Sequence, residues 1–153
     1  ANDWLENTPD YTGETWTVEE AAKLAELVAQ RGVDVIDVSS GGNHAAQKGH
    51  GGPGYQAKFA KHIKKVGGDK LLVSSVGSIK TGTHANEIIT GGKDEDDVQI
   101  DLIAAGRMFQ KNPGLVWAWA EDLDVEIQLA HQIAWGFGGR ATKKRDHVKI
   151  SVP

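Results

Sequence analysis

The chain contains no cysteine among its 153 residues. This absence excludes disulfide bonds, thiolate nucleophiles and cysteine-ligated zinc sites. No apolar run approaches the roughly 18 consecutive residues of a membrane-spanning helix. No charged-then-apolar signal peptide opens the chain either. We therefore predict a cytoplasmic protein without a membrane partner.

Basic residues are outnumbered by acidic ones, at 17 lysines and arginines against 21 aspartates and glutamates, for a net charge of -4. A chain with this balance has no extended basic field, so we expect no nucleic-acid partner. The hydrophobic content of 39% and the charged content of 25% are typical of globular proteins. The length fits one domain, which we take as residues 1–153.

What the sequence does contain is an alternation of helical and strand patterns. Thr17 and Glu20 form a capping-box signature before a helix that stops near Gly32. Strands rich in apolar residues are predicted to begin near Val33, Leu71 and Ile100. Spacings of roughly thirty to forty residues between strands indicate βαβ units in an α/β protein with parallel strands. A doubly wound sheet and a partial barrel are both compatible with this pattern.

Two of the predicted strands end in glycine followed by a polar residue. The second runs into Gly77 and Ser78, and the third runs into Gly106 and Arg107. Glycine lets backbone N–H groups approach an anion, a helix N-terminus adds partial positive charge, and arginine bonds phosphate oxygens. These four residues are therefore candidate phosphate ligands. They are equally well explained as two turn glycines and a surface cation.

A second glycine motif, Gly49-x-Gly51-x-x-Gly54, follows the first predicted strand. It resembles a dinucleotide fingerprint, but Pro53 lacks an amide and the strand ends about ten residues too early, so a loop is the favoured interpretation. His44 and His50 lie in this loop without a carboxylate or third histidine beside them. We expect no metal site and interpret His44 as a solvated or substrate-proximal histidine.

Several phrases of the sequence resemble the Old Yellow Enzyme family, in particular the fungal members of its thermophilic-like class. The resemblance covers nearly the whole chain in order and spacing. The phrases are 32–44, 52–56, 76–79, 106–113 and 132–139, of which 106–113 is the most specific.

The resemblance implies the C-terminal half of a (β/α)₈ TIM barrel that binds FMN at its mouth. The three strands correspond to the sixth to eighth of the barrel, and residues 1–4 to the exit of the fifth. FMN phosphate contacts are implied for Gly77, Ser78, Gly106 and Arg107. Arg140 is the candidate for an arginine that reaches a neighbouring subunit's active site, although its surrounding phrase is shifted.

The family's substrate-binding pair, proton-donating tyrosine and most flavin-ring contacts have no counterpart in these 153 residues, so the catalytic residues are unknown. The family reaction passes hydride from NADPH to FMN and then to an activated alkene. Two interpretations stay open: part of such an ene-reductase, or a non-enzymatic half-barrel. A sugar-phosphate isomerase barrel is a weaker alternative.

A half-barrel also has consequences for association. Its strands have apolar side chains that the missing part of the barrel would bury. We predict that the side chains most in need of such burial are those of Val35, Leu72, Val73 and Ile103. We therefore expect a homo-oligomer, or pairing with a complementing N-terminal half.

Overall fold

The structure of the protein is a computed structural model, and it describes residues 3–91 and 97–138. The helices and strands alternate as the sequence predicts. The strands are β1 (Val35–Val38), β2 (Leu72–Val76) and β3 (Leu102–Ala104), and the helices are α1 (Val18–Ala29), α2 (Ala57–Gly67), α3 (Gly82–Thr90), α4 (Gly106–Lys111), α5 (Leu115–Asp122) and α6 (Trp135–Gly138). Short 3₁₀ turns cover Leu5–Asn7 and Gly68–Lys70.

The predicted start of α1 is confirmed by both halves of its capping box. The backbone N–H of Thr17 donates to the Glu20 carboxylate at 2.8 Å, and the Glu20 N–H donates to the Thr17 hydroxyl at 3.4 Å. These bonds satisfy amide groups that have no partner within the helix. The small residues Ala21, Ala22 and Ala25 of α1 are buried, which lets α1 pack closely against α2.

The sheet is parallel throughout, and its strands lie in chain order, β1-β2-β3. Val35 pairs with Leu72, and Ser74 pairs with Leu102. Sequential order is that of a (β/α)₈ barrel, whereas a doubly wound sheet reverses its order at a switch point. The predicted α/β class with parallel strands is confirmed.

Helices cover one face of the sheet. Val38 and Val73 point to that face and belong to a core that includes Ala60, Ile63 and Ile88. A doubly wound sheet carries helices on both faces, while a barrel wall carries them outside only. The arrangement is therefore that of part of a barrel wall.

No helix of residues 3–91 and 97–138 covers the opposite face of the sheet, which we call the open sheet face. Val35, Leu72 and Leu102 lie on it and remain 44%, 43% and 42% exposed. The prediction that Val73 needs cover was wrong, because Val73 is fully buried against the helices. Ile103 also packs on the helix side and is half-buried. The alternation of side chains along a strand puts Leu102 on the open face instead.

Within the part of the chain that the structure describes, no helix has both the length and the hydrophobicity needed to cross a membrane.

Candidate anion site at the ends of two strands

A cavity of about 460 Å³ opens at the carboxyl ends of β2 and β3, and we call it the strand-end cavity. This volume lies within the usual range for small-molecule sites. All four predicted phosphate ligands line it. Its lining consists of Tyr55, Gln56, Val76, Gly77, Ser78, Ile79, Lys80, Ala104, Ala105, Gly106, Arg107, Met108 and Lys111.

The first wall of the cavity is the turn after β2. Gly77 has φ 130° and Ser78 has φ 51°. The first angle is open to glycine and disfavoured for residues with a Cβ, and the second is the left-handed conformation that non-glycine residues rarely adopt. Glycine is also required sterically, because a Cβ at position 77 would lie 2.7 Å from Cε1 of Tyr55. The turn thus holds two unusual conformations beside the cavity.

The second wall is the start of α4, directly after β3. A Cβ built on Gly106 meets no atom within 4 Å. The glycine is therefore not needed for packing, and its bare backbone borders open space. The first amides of a helix have no partner within it, and among the described residues the N–H groups of Gly106 and Arg107 have no other backbone partner, which leaves them available to an anion. Arg107 itself is exposed.

Among the described residues, the cavity lining carries three cationic side chains, Lys80, Arg107 and Lys111, and no carboxylate. For none of the three side chains does the described structure contain a hydrogen-bond or ion-pair partner. Three uncompensated positive charges around one cavity favour an anionic ligand. A phosphate group matches this donor set of ammonium, guanidinium and backbone N–H groups.

Sequence reasoning missed Lys80 and Lys111. Lys80 follows Ser78 by two residues, and Lys111 follows Arg107 by four, which is one helical turn. The spacing from Arg107 was a usable signal, since residues four apart lie on the same helix face.

His44 does not line the strand-end cavity. It is exposed, its ring packs edge-on against Tyr11 at 5.4 Å between centroids, and its Nδ1 accepts from the Ala46 N–H at 3.1 Å. His50 instead packs against Trp4, at 5.8 Å between centroids. Each loop histidine thus contacts a different aromatic ring. Arg140 lies outside the described residues.

The glycines of the competing motif at 49–54 do not build a phosphate loop. Nothing lies within 4 Å of a Cβ placed on Gly51, and a Cβ on Gly49 would meet only the Trp4 ring at 3.6 Å. Gly54 is packed closely, with its N–H bonded to the carbonyl of Gly77. Gly54 therefore helps to pack the loop against the end of β2.

Two curated relatives match the chain. An NADH:flavin oxidoreductase of Gibberella zeae is 47% identical over 97% of this chain and 35% of its own length. An NADPH dehydrogenase of Bacillus cytotoxicus is 34% identical over 80% of this chain and 33% of its own length. No protein-family model matches.

Both similarities are consistent with the chain being part of an Old Yellow Enzyme family member. The chain spans about a third of the length of the curated relatives that it matches. The family resemblance predicted from the sequence is confirmed, and so is the expected kinship with flavin oxidoreductases. The fold is consistent with this resemblance. A parallel sheet with helices on its outer face and an open inner face corresponds to one section of a TIM barrel.

Proposed function

We propose that this chain supplies the FMN phosphate-binding loops of an FMN-dependent NADPH:alkene oxidoreductase. The observation that carries the proposal is the strand-end cavity, where Gly77, Ser78, Gly106 and Arg107 meet with two further cations and, in the part of the chain that the structure describes, no carboxylate. Phosphate sites of (β/α)₈ enzymes commonly lie after the last two strands. The names of the two relatives, which refer to a flavin and to nicotinamide cofactors, support the same assignment.

The roles of the residues follow from their chemistry. The backbone N–H groups of Ser78 and Gly106 would donate to phosphate oxygens, since glycine at 77 and 106 keeps side chains out of the way. Arg107 would add charge-assisted hydrogen bonds, while Lys80 and Lys111 would contribute positive charge at longer range. FMN, when bound, supplies the hydride transfer that links NADPH to the alkene. The part of this chain is to hold and orient the cofactor.

A direct test compares FMN with riboflavin, which has the same ring system without the phosphate. The 153-residue chain is titrated with each flavin by calorimetry, and inorganic phosphate is added as a competitor. Charge-assisted hydrogen bonds contribute about 1.5–3 kcal/mol each, so we expect FMN to bind at least about ten-fold more tightly than riboflavin. Phosphate should compete with FMN. Equal affinity for the two flavins, or no binding of FMN, overturns the proposal.

A second candidate function is supported by the open sheet face. Val35, Leu72 and Leu102 leave a row of apolar side chains exposed across all three strands. A non-enzymatic half-barrel that self-associates, or that pairs with an N-terminal half, would bury this row. Under this alternative the chain has no catalytic activity of its own. The flavin titration separates the candidates, because only the first requires a preference for FMN.

A further inference from the structure

A chain of hydrogen bonds runs behind the strand-end cavity. The indole Nε1 of Trp4 donates to Oγ of Ser40 at 2.8 Å, and Oγ of Ser40 donates to Oε1 of Gln56 at 2.6 Å. The chain ends where Nε2 of Gln56 donates to the carbonyl oxygen of Val76 at 3.1 Å. Trp4 is 4% exposed and Gln56 is 2% exposed. A partly buried chain of hydrogen bonds, with both Trp4 and Gln56 buried and Ser40 half-buried, thus reaches the residue before Gly77.

This hydrogen-bond chain has a single direction. The Trp4 indole is only a donor, so the Ser40 oxygen accepts from it and has its own proton available for Gln56. The Gln56 amide oxygen faces Ser40, and its nitrogen faces the Val76 carbonyl. The opposite amide orientation would set two oxygens against each other at Val76. Because each bond polarises the next in a low-dielectric interior, the network specifies one arrangement.

The loop residues next to Gln56 also contact the turn after β2. The Gly54 N–H donates to the Gly77 carbonyl oxygen at 2.8 Å. The Tyr55 ring lies against Gly77, 2.7 Å from the position of a Cβ. Three consecutive residues therefore contact Val76 and Gly77 through two hydrogen bonds and one ring.

These contacts matter because the turn is conformationally unfavourable. The positive φ of Ser78 costs conformational free energy, whereas glycine adopts the positive φ of Gly77 readily, and a conformation such as that of Ser78 persists only where the surrounding structure enforces it. The two residues lie beyond the sheet, since β2 ends at Val76. The loop that contains residues 54–56 therefore holds the turn in place.

We propose that Gln56 is a positioning residue that fixes the Gly77–Ser78 turn for anion binding, with Trp4 and Ser40 fixing Gln56 in turn. Gln56 lines the strand-end cavity, but its amide oxygen and nitrogen are engaged with Ser40 and Val76, so its role is to hold the turn and not to bind the phosphate. The ligand in this inference rests on the proposed function. The claim that Gln56 fixes the conformation of the turn does not depend on the proposed function.

The variant that tests the inference is Gln56→Met, which keeps the length of the side chain and removes both hydrogen bonds. The matched control is Gln47→Met, in the same loop, where the Gln47 side chain bonds Asn43 and does not line the cavity. The first readout needs no ligand: hydrogen exchange of the Gly54 amide, which reports its bond to Gly77. The exchange of the Ala25 amide in α1 reports whether the fold as a whole is intact.

We expect Gln56→Met to speed Gly54 exchange about ten-fold or more, with Ala25 unchanged and with Gln47→Met at the wild-type rate. FMN affinity should fall about ten-fold in Gln56→Met, while riboflavin affinity stays the same. Ser40→Ala, at a half-buried position, is the second variant if Gln56→Met does not fold. It should give the same two changes, because it breaks the chain between Trp4 and Gln56.

The inference is overturned if Ser40→Ala or a folded Gln56→Met matches Gln47→Met in Gly54 exchange. A second result also overturns it. In that result, Gln56→Met or Ser40→Ala speeds Gly54 exchange but leaves FMN affinity unchanged, while Arg107→Ala lowers FMN affinity and so shows that FMN binds in the cavity. Failure of the proposed function looks different. In that case the wild-type chain shows no preference for FMN over riboflavin, while Gly54 exchange still tests the positioning of the turn.

Discussion

Gly54 and Gly77 are joined by a 2.8 Å hydrogen bond from the N–H of the first to the carbonyl oxygen of the second. Gly54 has φ 64°, and a Cβ there would lie 3.1 Å from both His84 and Ile88 of α3. The glycine is required by a positive φ and by close packing against a helix. A motif that resembles a dinucleotide fingerprint thus connects a loop to the turn beside the strand-end cavity.

The guanidinium of Arg107 is expected to carry a large share of FMN binding. Replacement by alanine removes charge-assisted hydrogen bonds worth about 1.5–3 kcal/mol, so affinity should drop about ten-fold or more. Calorimetric titration of Arg107→Ala with FMN is the measurement. Arg31→Ala is the control, because Arg31 is exposed and its guanidinium donates to the Leu27 carbonyl oxygen near the end of α1. Unchanged affinity in Arg107→Ala means that the phosphate binds elsewhere.

The two cavity glycines are expected to respond differently to alanine. Gly77→Ala imposes a Cβ on a positive φ and against the Tyr55 ring, so it should lower the free energy of unfolding by more than about 1 kcal/mol. The Cβ of Gly106→Ala meets no neighbour within 4 Å among the described residues, and the stability of this variant should be unchanged or slightly higher. Its FMN affinity should nevertheless fall, because the methyl group occupies space beside the amide groups. Urea denaturation and FMN titration of both variants provide the check.

If Gly106→Ala is destabilised as much as Gly77→Ala, then Gly106 is also needed for stability, which contradicts the expectation from its open surroundings. If it binds FMN as tightly as the wild type, close backbone approach at Gly106 is unnecessary for the phosphate.

The open sheet face is expected to drive association. Full burial of a Leu or Val side chain contributes about 1.5–3 kcal/mol, so exposed Val35, Leu72 and Leu102 favour pairing with a second copy or a complementing half. Leu72→Lys should shift the chain toward monomer. Leu24→Lys is a matched control, since Leu24 has nearly the same exposure, 42%, but lies on α1. Light scattering during size-exclusion chromatography over a range of concentrations measures the effect.

A wild-type chain that stays a folded monomer of 16.4 kDa at every concentration contradicts this expectation. The expectation is also contradicted if Leu72→Lys and Leu24→Lys dissociate the oligomer equally, because the interface would then not be specific to the open sheet face.

The 153-residue chain by itself is expected not to reduce activated alkenes with NADPH. The family's substrate-binding pair and proton-donating tyrosine have no counterpart in its sequence, and loss of even one preorganised donor can cost about 10²–10³ in rate. Oxidation of NADPH in the presence of a cyclic enone and FMN, followed by the loss of nicotinamide absorbance, is the assay. Turnover at an ordinary enzymatic rate of roughly 1 s⁻¹ or faster would show that this chain contains catalytic groups of its own.

The local features of this protein can be predicted from its sequence. The Thr17–Glu20 capping box, the alternation of strands with helices, and the glycines that end β2 and β3 each depend on residues close together in the chain. Their physical causes are local: side-chain oxygens near free amides, β-branched residues in strands, and a missing Cβ at a turn. For the same reason the ligand candidates Gly77, Ser78, Gly106 and Arg107 follow from the sequence pattern alone.

The three-dimensional packing was needed to show which side of each strand is covered and which distant residues share the cavity. Val73 was expected on the open face and is buried, because the facing of a strand depends on where the helices pack and not on its composition. Gln56 carries no signal in the sequence, since its effect arises only when a loop folds back onto the end of β2. Lys80 and Lys111 become one charged site with Arg107 because parallel pairing brings the carboxyl ends of two strands to the same edge of the sheet.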